Sequence, residues 1–554
     1  MTSSPTANPG GIGSRDLSFE KLTSSTTELF DLLVVGGGIT GAGIALDASS
    51  RGLRVALVER YDFAAGTSSK SSKLVHGGLR YLEQREFGLV REAVTERDLL
   101  RRLAPHLVEP VPFALPITGR QMRVKFGVGL WAYDALASFR SNQIHKHLSA
   151  EETEDMLPAL PKGKVAGGFL YYDCKTDDAR LVMEVLVAAV RLGAVVCNYA
   201  PVIGMESDDH GCEATVQDSL SGDIARIRAK RAVVAGGVWA DRIENLLHPD
   251  AEDRLRPSKG IHLLFSRADV PVGDAAALIP DAERERMLFV IPWLDSVLVG
   301  TTDTEFSGSI DSPTVDEGDR KYVLDALNSV FHLELTDTDI AGAYAGLRPL
   351  VKGKEGATAD LSRRHSVYTV APSVIGITGG KLTTWRKMAE DAVDRVAEEL
   401  EAPRGSRTEH IKLGTSDLAA LNLALGRRAE RLSLPDATVR SLVRSYGDRA
   451  LNVLDVAEET GLTDPLVPGH PMLAAEAAYT ARSEMAVRLT DLLSRRTRLA
   501  LTNREAGLGP GSRAVEILAS EHGWSDATTK IESVTHRDAV ERERGLSLPV
   551  PEAG

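Results

Sequence analysis

At 554 residues the chain is too long for one hydrophobic core, so two to four domains are expected. Hydrophobic residues make up 43% and charged residues 26%, as in an ordinary soluble globular protein, and the net charge of −13 argues against general nucleic-acid binding. Cys174, Cys197 and Cys212 are scattered with no C-x-x-C pair, which fits a reducing compartment and excludes a zinc or disulfide framework. Residues 1–27, beginning "MTSSPTANPGGIGSRD", are polar and have no apolar signal core, and a disordered tail is expected there. No apolar run reaches the roughly 18 residues that a spanning helix needs, so any contact with a bilayer is expected to be peripheral.

The first ordered unit is "LFDLLVVGGGITGAGIALDASSRGLRVALVER", residues 29–60. Leu32 to Val35 reads as a buried strand, about Thr40 to Arg51 as a helix, and "RVALVER" as a second strand. Gly36, Gly38 and Gly41 occupy the G-x-G-x-x-G positions. The first permits a tight turn, the second lets backbone approach a pyrophosphate, and the third lets the helix pack on the strand. The helix directs its amino end at that phosphate, and Glu59 ends the second strand where an acid takes ribose hydroxyls. Together these features indicate a dinucleotide, FAD or NAD.

The following segment, "AAGTSSKSSKLVHGGLRYLE", is rich in hydroxyls and glycine and suits an extended flavin cofactor. Thr67, Ser68, Ser71, Ser72, Lys73, His76 and Gly77 are its expected cofactor contacts. The stretches "SSKLVHGGLRYLE", "GLRPLV" at 346–351 and "GGKLTTWRKMAE" at 379–390 resemble the FAD-dependent, quinone-linked glycerol-3-phosphate dehydrogenase family over residues 29 to 530. The resemblance implies an α/β fold: a glutathione-reductase-like FAD-binding Rossmann domain, an antiparallel-sheet substrate domain of D-amino-acid-oxidase type, and an α-helical C-terminal domain. It implies noncovalent FAD near Val202, Ala235 and Gly236. It further implies oxidation of sn-glycerol 3-phosphate to dihydroxyacetone phosphate, with hydride passing to flavin N5 and electrons to a quinone. An oxidase that reduces oxygen to peroxide is the alternative.

The expected cofactor domain is discontinuous, comprising 28–103, 173–255 and 346–402, with substrate-domain insertions at 104–172 and 256–345. A helix capped by Asp177 or Asp178 and a strand after Gly193 belong to the second piece. In the third, Gly379 and Gly380 open a helix whose amides would face the flavin, with Lys381 and Leu382 beside them. A helical domain is expected over 403–530 and a loosely ordered tail over 531–554. Arg495, Arg496 and Arg498 could bind an anion, pair with acids, or mark an oligomer contact.

A phosphorylated alcohol needs converging cations and a base. Arg80, Arg348 and Lys381 are the candidate cations, with Tyr81 and Thr301, and more weakly Thr302, as further pocket residues. His76 is the first candidate for the base and His262 the second. The segment 120–146 combines Arg120, Arg123, Lys125, Arg140 and Lys146 against Asp134 alone, with Phe126, Leu130, Trp131 and Tyr133 as apolar and interfacial side chains. It is read as either a peripheral membrane contact or a helix of the substrate domain. A homodimer at the inner face of the cytoplasmic membrane is expected.

Overall fold

Two sheets divide the work of enclosing a long cavity. The computed structural model describes residues 10–24, 29–78, 86–136, 144–281, 286–352, 364–415 and 417–549. The first sheet has eight strands, and its parallel core runs Val374–Thr378, Ile224–Val234, Phe30–Val35, Val55–Val58 and Val195–Cys197. Leu32 lies beside Val55 on one side and Arg231 on the other. These strands are almost uninterrupted Val, Leu and Ala because both faces are covered. Ile39–Ser50 is the central helix, packed between Asp178–Arg191 and Trp385–Glu399. Gly43 permits that approach: a Cβ there would lie 2.6 Å from the Trp385 ring.

The second sheet has ten strands and draws on both insertions. Its path runs Thr304–Glu305, Ser258–Ser266, Ser296–Gly300, Met287–Trp293, Ala276–Pro280, Glu109–Pro116, Gly168–Lys175 and Leu74–Val75. Ile340–Arg348 pairs with Ser258–Ser266 along its length. Pairing is antiparallel except where Ala276–Pro280 meets Glu109–Pro116, the seam between the two insertions. The Leu74–Val75 edge strand carries the signature segment into this sheet.

The C-terminal region is helical, from Leu418–Arg431 to Asp526–Arg544. It joins the dinucleotide domain through a buried ionic seam. Arg495 and Arg496 both donate to Asp62, at 2.5 and 2.8 Å, and Arg498 pairs with Asp177 and Asp178. Arg180 and Arg449 share Glu484. Of the readings open for Arg495, Arg496 and Arg498, pairing with acids is the one observed.

Both expected tails need correction. Residues Arg15–Thr23 form a helix, with Leu22 buried and Arg15 paired to Asp218 and donating to the Asn198 carbonyl at 3.3 Å. The polar composition of 1–27 concealed the few side chains that dock it. At the other end, Asp526–Arg544 continues through 531, anchored by buried Val540 and by Arg544, which donates to the Ala500 carbonyl at 2.7 Å.

Candidate functional site

The cavity has a volume of about 1310 Å³ and runs from the glycine turn to the second sheet. At the turn, Gly36 has φ +120°, and a Cβ there would lie 2.5 Å from the Ala235 carbonyl oxygen. Gly41 abuts the Gly36 carbonyl, so helix and turn are in contact. Gly38 is the N-cap of Ile39–Ser50; a Cβ there would meet only Ser68, with Oγ at 3.0 Å. Space is therefore kept at Gly38 for something other than protein. Glu59 accepts from the Gly37 and Tyr61 N–H groups at 2.6 and 2.8 Å. Burial raises its pKa against the pull of those donors. Val202, Ala235 and Gly236 line the same end.

Along the middle, Thr67, Ser68, Ser71 and Ser72 all border the cavity. Thr67 donates to the Leu347 carbonyl at 2.6 Å, and Ser68 Oγ accepts from Ile39 N–H at 2.9 Å. Two neighbours depart from expectation. Lys73 is wholly buried away from the cavity, donating to Asp178 and the Ser69 carbonyl at 3.0 Å, with the Tyr344 and Trp293 rings beside its ammonium. Desolvation depresses its pKa to about 8. The physical reason is the seam: Asp178 draws Lys73 as it draws Arg498. Gly77 is likewise off the cavity. Its N–H donates to Tyr133 Oη and Asp173 at 3.1 and 3.2 Å, and a Cβ would strike Tyr133 and Val94. Protein packing, not a ring system, requires that glycine.

Gly379 and Gly380 take φ +78° and +77°, a left-handed pair that only glycine adopts without strain. A single 3₁₀ turn, Leu382–Thr384, separates them from the helix Trp385–Glu399, which therefore starts later than its sequence suggests. Lys381 and Leu382 line the cavity, and Thr383 Oγ1 accepts the His76 N–H at 3.1 Å. Two segments three hundred residues apart thus meet at His76.

At the far end, Arg348 closes the strand Ile340–Arg348. Its guanidinium donates to Asp303 at 3.1 Å, Thr301 Oγ1 at 3.3 Å and the Thr302 carbonyl at 3.1 Å. Gly260 leaves room for that fork, since a Cβ there would strike it. Asp303 and Gly260 were not foreseen; the "GTTDTEF" run held the signal for Asp303, a carboxylate after the two threonines. Thr301 faces the cavity, whereas Thr302 is buried and accepts from Ile261 N–H at 3.1 Å. Arg80 and Tyr81 lie outside the described residues.

The two histidines occupy different surroundings. His76 is half-buried on the cavity wall, edge-on to Phe289 with centroids 6.3 Å apart. His262 is buried, stacked on Tyr344 at 5.0 Å, with Nε2 hydrogen-bonded to Ser72 Oγ at 2.9 Å. Burial, then Lys73 and Arg348, hold its pKa well below the usual imidazole value. It is a neutral ring at physiological pH.

Helix Arg120–Leu136 walls the cavity through Met122, Lys125 and Phe126. Leu130 and Tyr133 are buried in protein, so of the four side chains expected to meet lipid only Trp131 is exposed, at 63%. Val124 and Val128, at 61% and 66%, complete an exposed apolar ridge at helical spacing. Arg140 lies outside the described residues. Among those described, no helix is long and apolar enough to cross a membrane.

The turn, the space at Gly38, the carboxylate at the strand end and the left-handed glycine pair fit FAD laid along the cavity. Residues 31–381 match the family described as FAD dependent oxidoreductase, and 406–529 match the C-terminal domain of alpha-glycerophosphate oxidase. Glycerol-3-phosphate dehydrogenase 2 of Mycobacterium tuberculosis (strain ATCC 25618 / H37Rv) is 40% identical over 526 residues, 93% of this chain and 89% of the relative. The chain belongs to the FAD-dependent glycerol-3-phosphate dehydrogenase family. The aerobic glycerol-3-phosphate dehydrogenase of Bacillus subtilis (strain 168) is 37% identical over 495 residues, covering 86% of this chain and 88% of that one. The crystal structure of glycerol-3-phosphate dehydrogenase from Bacillus halodurans complexed with FAD superposes with a TM-score of 0.78 at 30% identity, covering 96% of this chain and 98% of its own. The chain is accordingly an FAD-dependent oxidoreductase of the D-amino-acid-oxidase fold with a family-type helical domain.

Proposed function

We propose that the enzyme oxidises sn-glycerol 3-phosphate to dihydroxyacetone phosphate and passes the electrons to a membrane quinone. The observation that carries this reading is that Arg348 and His76 border the same cavity whose opposite end suits a dinucleotide. Arg348, oriented by Asp303 and Thr301, receives the phosphate together with Lys381, and Arg80 and Tyr81 of the signature segment join them. His76 takes the proton from the C2 hydroxyl of the substrate. FAD held along the cavity by the glycine turn, Glu59 and the Gly379–Gly380 pair would supply the acceptor for the hydride that leaves C2. His262, buried and neutral, also borders the cavity and holds Ser72 in place.

The quinone assignment is supported by the apolar character of the wall formed by Met122, Phe126, Met287 and Phe289, and by the exposed ridge Val124, Val128 and Trp131 on the helix that builds it. Arg120, Arg123 and Lys125 begin that helix, as suits anionic headgroups on an otherwise acidic protein. The C-terminal match bears an oxidase description, so oxygen is the competing acceptor. Purified holoenzyme supplied with glycerol 3-phosphate should reduce a water-soluble quinone, with one dihydroxyacetone phosphate formed per quinone. Peroxide at a comparable rate would favour the oxidase, and no product with either acceptor would overturn the reading. Replacing Arg120 and Arg123, which do not line the cavity, with glutamate should abolish flotation with anionic liposomes while sparing dye reduction; unchanged flotation would reject this helix as the docking element.

A further inference from the structure

Residues 306–313 cross from the substrate sheet to the dinucleotide domain as an exposed strap, "FSGSIDSP". One end is fixed to the substrate sheet and the other to the C-terminal helix Asp526–Arg544. Thr304–Glu305 pairs with Ser258 and Lys259, and Val315 N–H donates to the Glu543 carbonyl at 2.9 Å. The middle contains Ser and Gly and has no regular structure to hold it. One carboxylate ties it to the dinucleotide domain. Asp311 accepts from Trp239 Nε1 at 2.8 Å, from Arg242 Nη1 at 2.7 and 2.9 Å, and from Tyr61 Oη at 3.2 Å.

Those three donors are not incidental surface groups. Tyr61 lies two residues beyond Glu59, the acid at the ribose position, and Trp239 and Arg242 follow the Ala235–Gly236 turn. All three line the cofactor cavity, and Tyr61 and Trp239 pack edge-on at 5.8 Å. Among the described residues, every hydrogen bond joining the strap to the dinucleotide domain ends on Asp311. Behind it a small hollow separates Ile310 and Pro313 from Gly66 and Val238.

We infer that Asp311 is a positioning residue for the cofactor: by joining Tyr61, Trp239 and Arg242 it fixes three side chains that line the dinucleotide end of the cavity and so slows the escape of FAD. The inference needs FAD in this cavity but not any particular substrate or electron acceptor. Burial alone would raise the Asp311 pKa, but Arg242, Trp239 and Tyr61 lower it below the ordinary value, so the carboxylate is ionised and holds its three donors at neutral pH. Charge-assisted hydrogen bonds of this kind are stronger than neutral ones, and losing the Arg242 pair removes the strongest of the set.

The test is the rate of FAD release from diluted holoenzyme, read as the recovery of free flavin fluorescence. Asp311→Asn, which keeps the shape and removes the charge, should release FAD faster by about tenfold, and Asp311→Ala at least as fast. Arg242→Gln should match Asp311→Asn, and the double variant should be no faster than either single one, because both break the same contact. The double variant separates loss of this one shared contact from general loosening, which would give multiplied effects. Release within about twofold of wild type for Asp311→Ala, or a double variant at the product of the single effects, would overturn the inference.

Discussion

The two ends of the cavity are built by different means. At the dinucleotide end the backbone does the shaping: Gly36 and Gly41 are forced by contacts with the Ala235 and Gly36 carbonyls, and Gly38 leaves the space. At the substrate end side chains converge from strands far apart in sequence, with Arg348 from Ile340–Arg348, Asp303 beyond Ser296–Gly300, and His76 beyond Leu74–Val75. A backbone site fails all at once when a Cβ enters it. A side-chain site fails by parts, each with its own kinetic signature. The difference between the ends is therefore measurable.

The largest effect is expected from Gly38→Val. It adds bulk where protein leaves room, so the variant should fold yet purify without yellow colour; a normally yellow protein would break the comparison at its stronger end. Next is His76→Ala, which should lower kcat by about 10²- to 10⁴-fold if His76 is the base. The acid limb of the pH–rate profile should disappear with it, since a base must be neutral to act. His262→Phe should keep that limb, because burial, Lys73 and Arg348 already hold His262 neutral well below the usual imidazole range. Loss of the limb in His262→Phe but not in His76→Ala would exchange their roles. Smaller again is Arg348→Ala, expected to raise KM strongly and cost roughly 2–4 kcal/mol in kcat/KM by removing a charge-assisted anchor. Arg348→Lys should recover only part of this, because an ammonium cannot span Asp303 and Thr301 as the fork does. Full recovery would mean that charge alone matters there.

The same contrast explains what could be read in advance. The strand, turn and helix from Phe30 to Ser50 follow from local rules of spacing and steric demand, and the observed elements lie within a residue or two of the expected ones. Residues 104–172 and 256–345 were expected to share a sheet, and strands from both do. Lys73 and Gly77 were misread because their neighbours face the cavity while they do not. Their direction depends on Asp178, Tyr133 and Asp173, which lie 56 to 105 positions away. Asp311 carries no local mark and becomes meaningful only when folding brings Arg242 to it, while Asp303 is marked only by its place after two threonines until Arg348 reaches it. The helices at 15–23 and 526–544 escaped notice for a related reason, as a few anchoring side chains outweigh polar composition.

The central claim is that both ends of the cavity serve one reaction, with a phosphorylated secondary alcohol held beside the cofactor. Anaerobic titration of the holoenzyme with sn-glycerol 3-phosphate, followed by flavin absorbance, tests it most directly. The account predicts bleaching of the oxidised flavin by wild type, and bleaching by Arg348→Ala only at much higher substrate. A flavin that stays oxidised in wild type under excess substrate would contradict it.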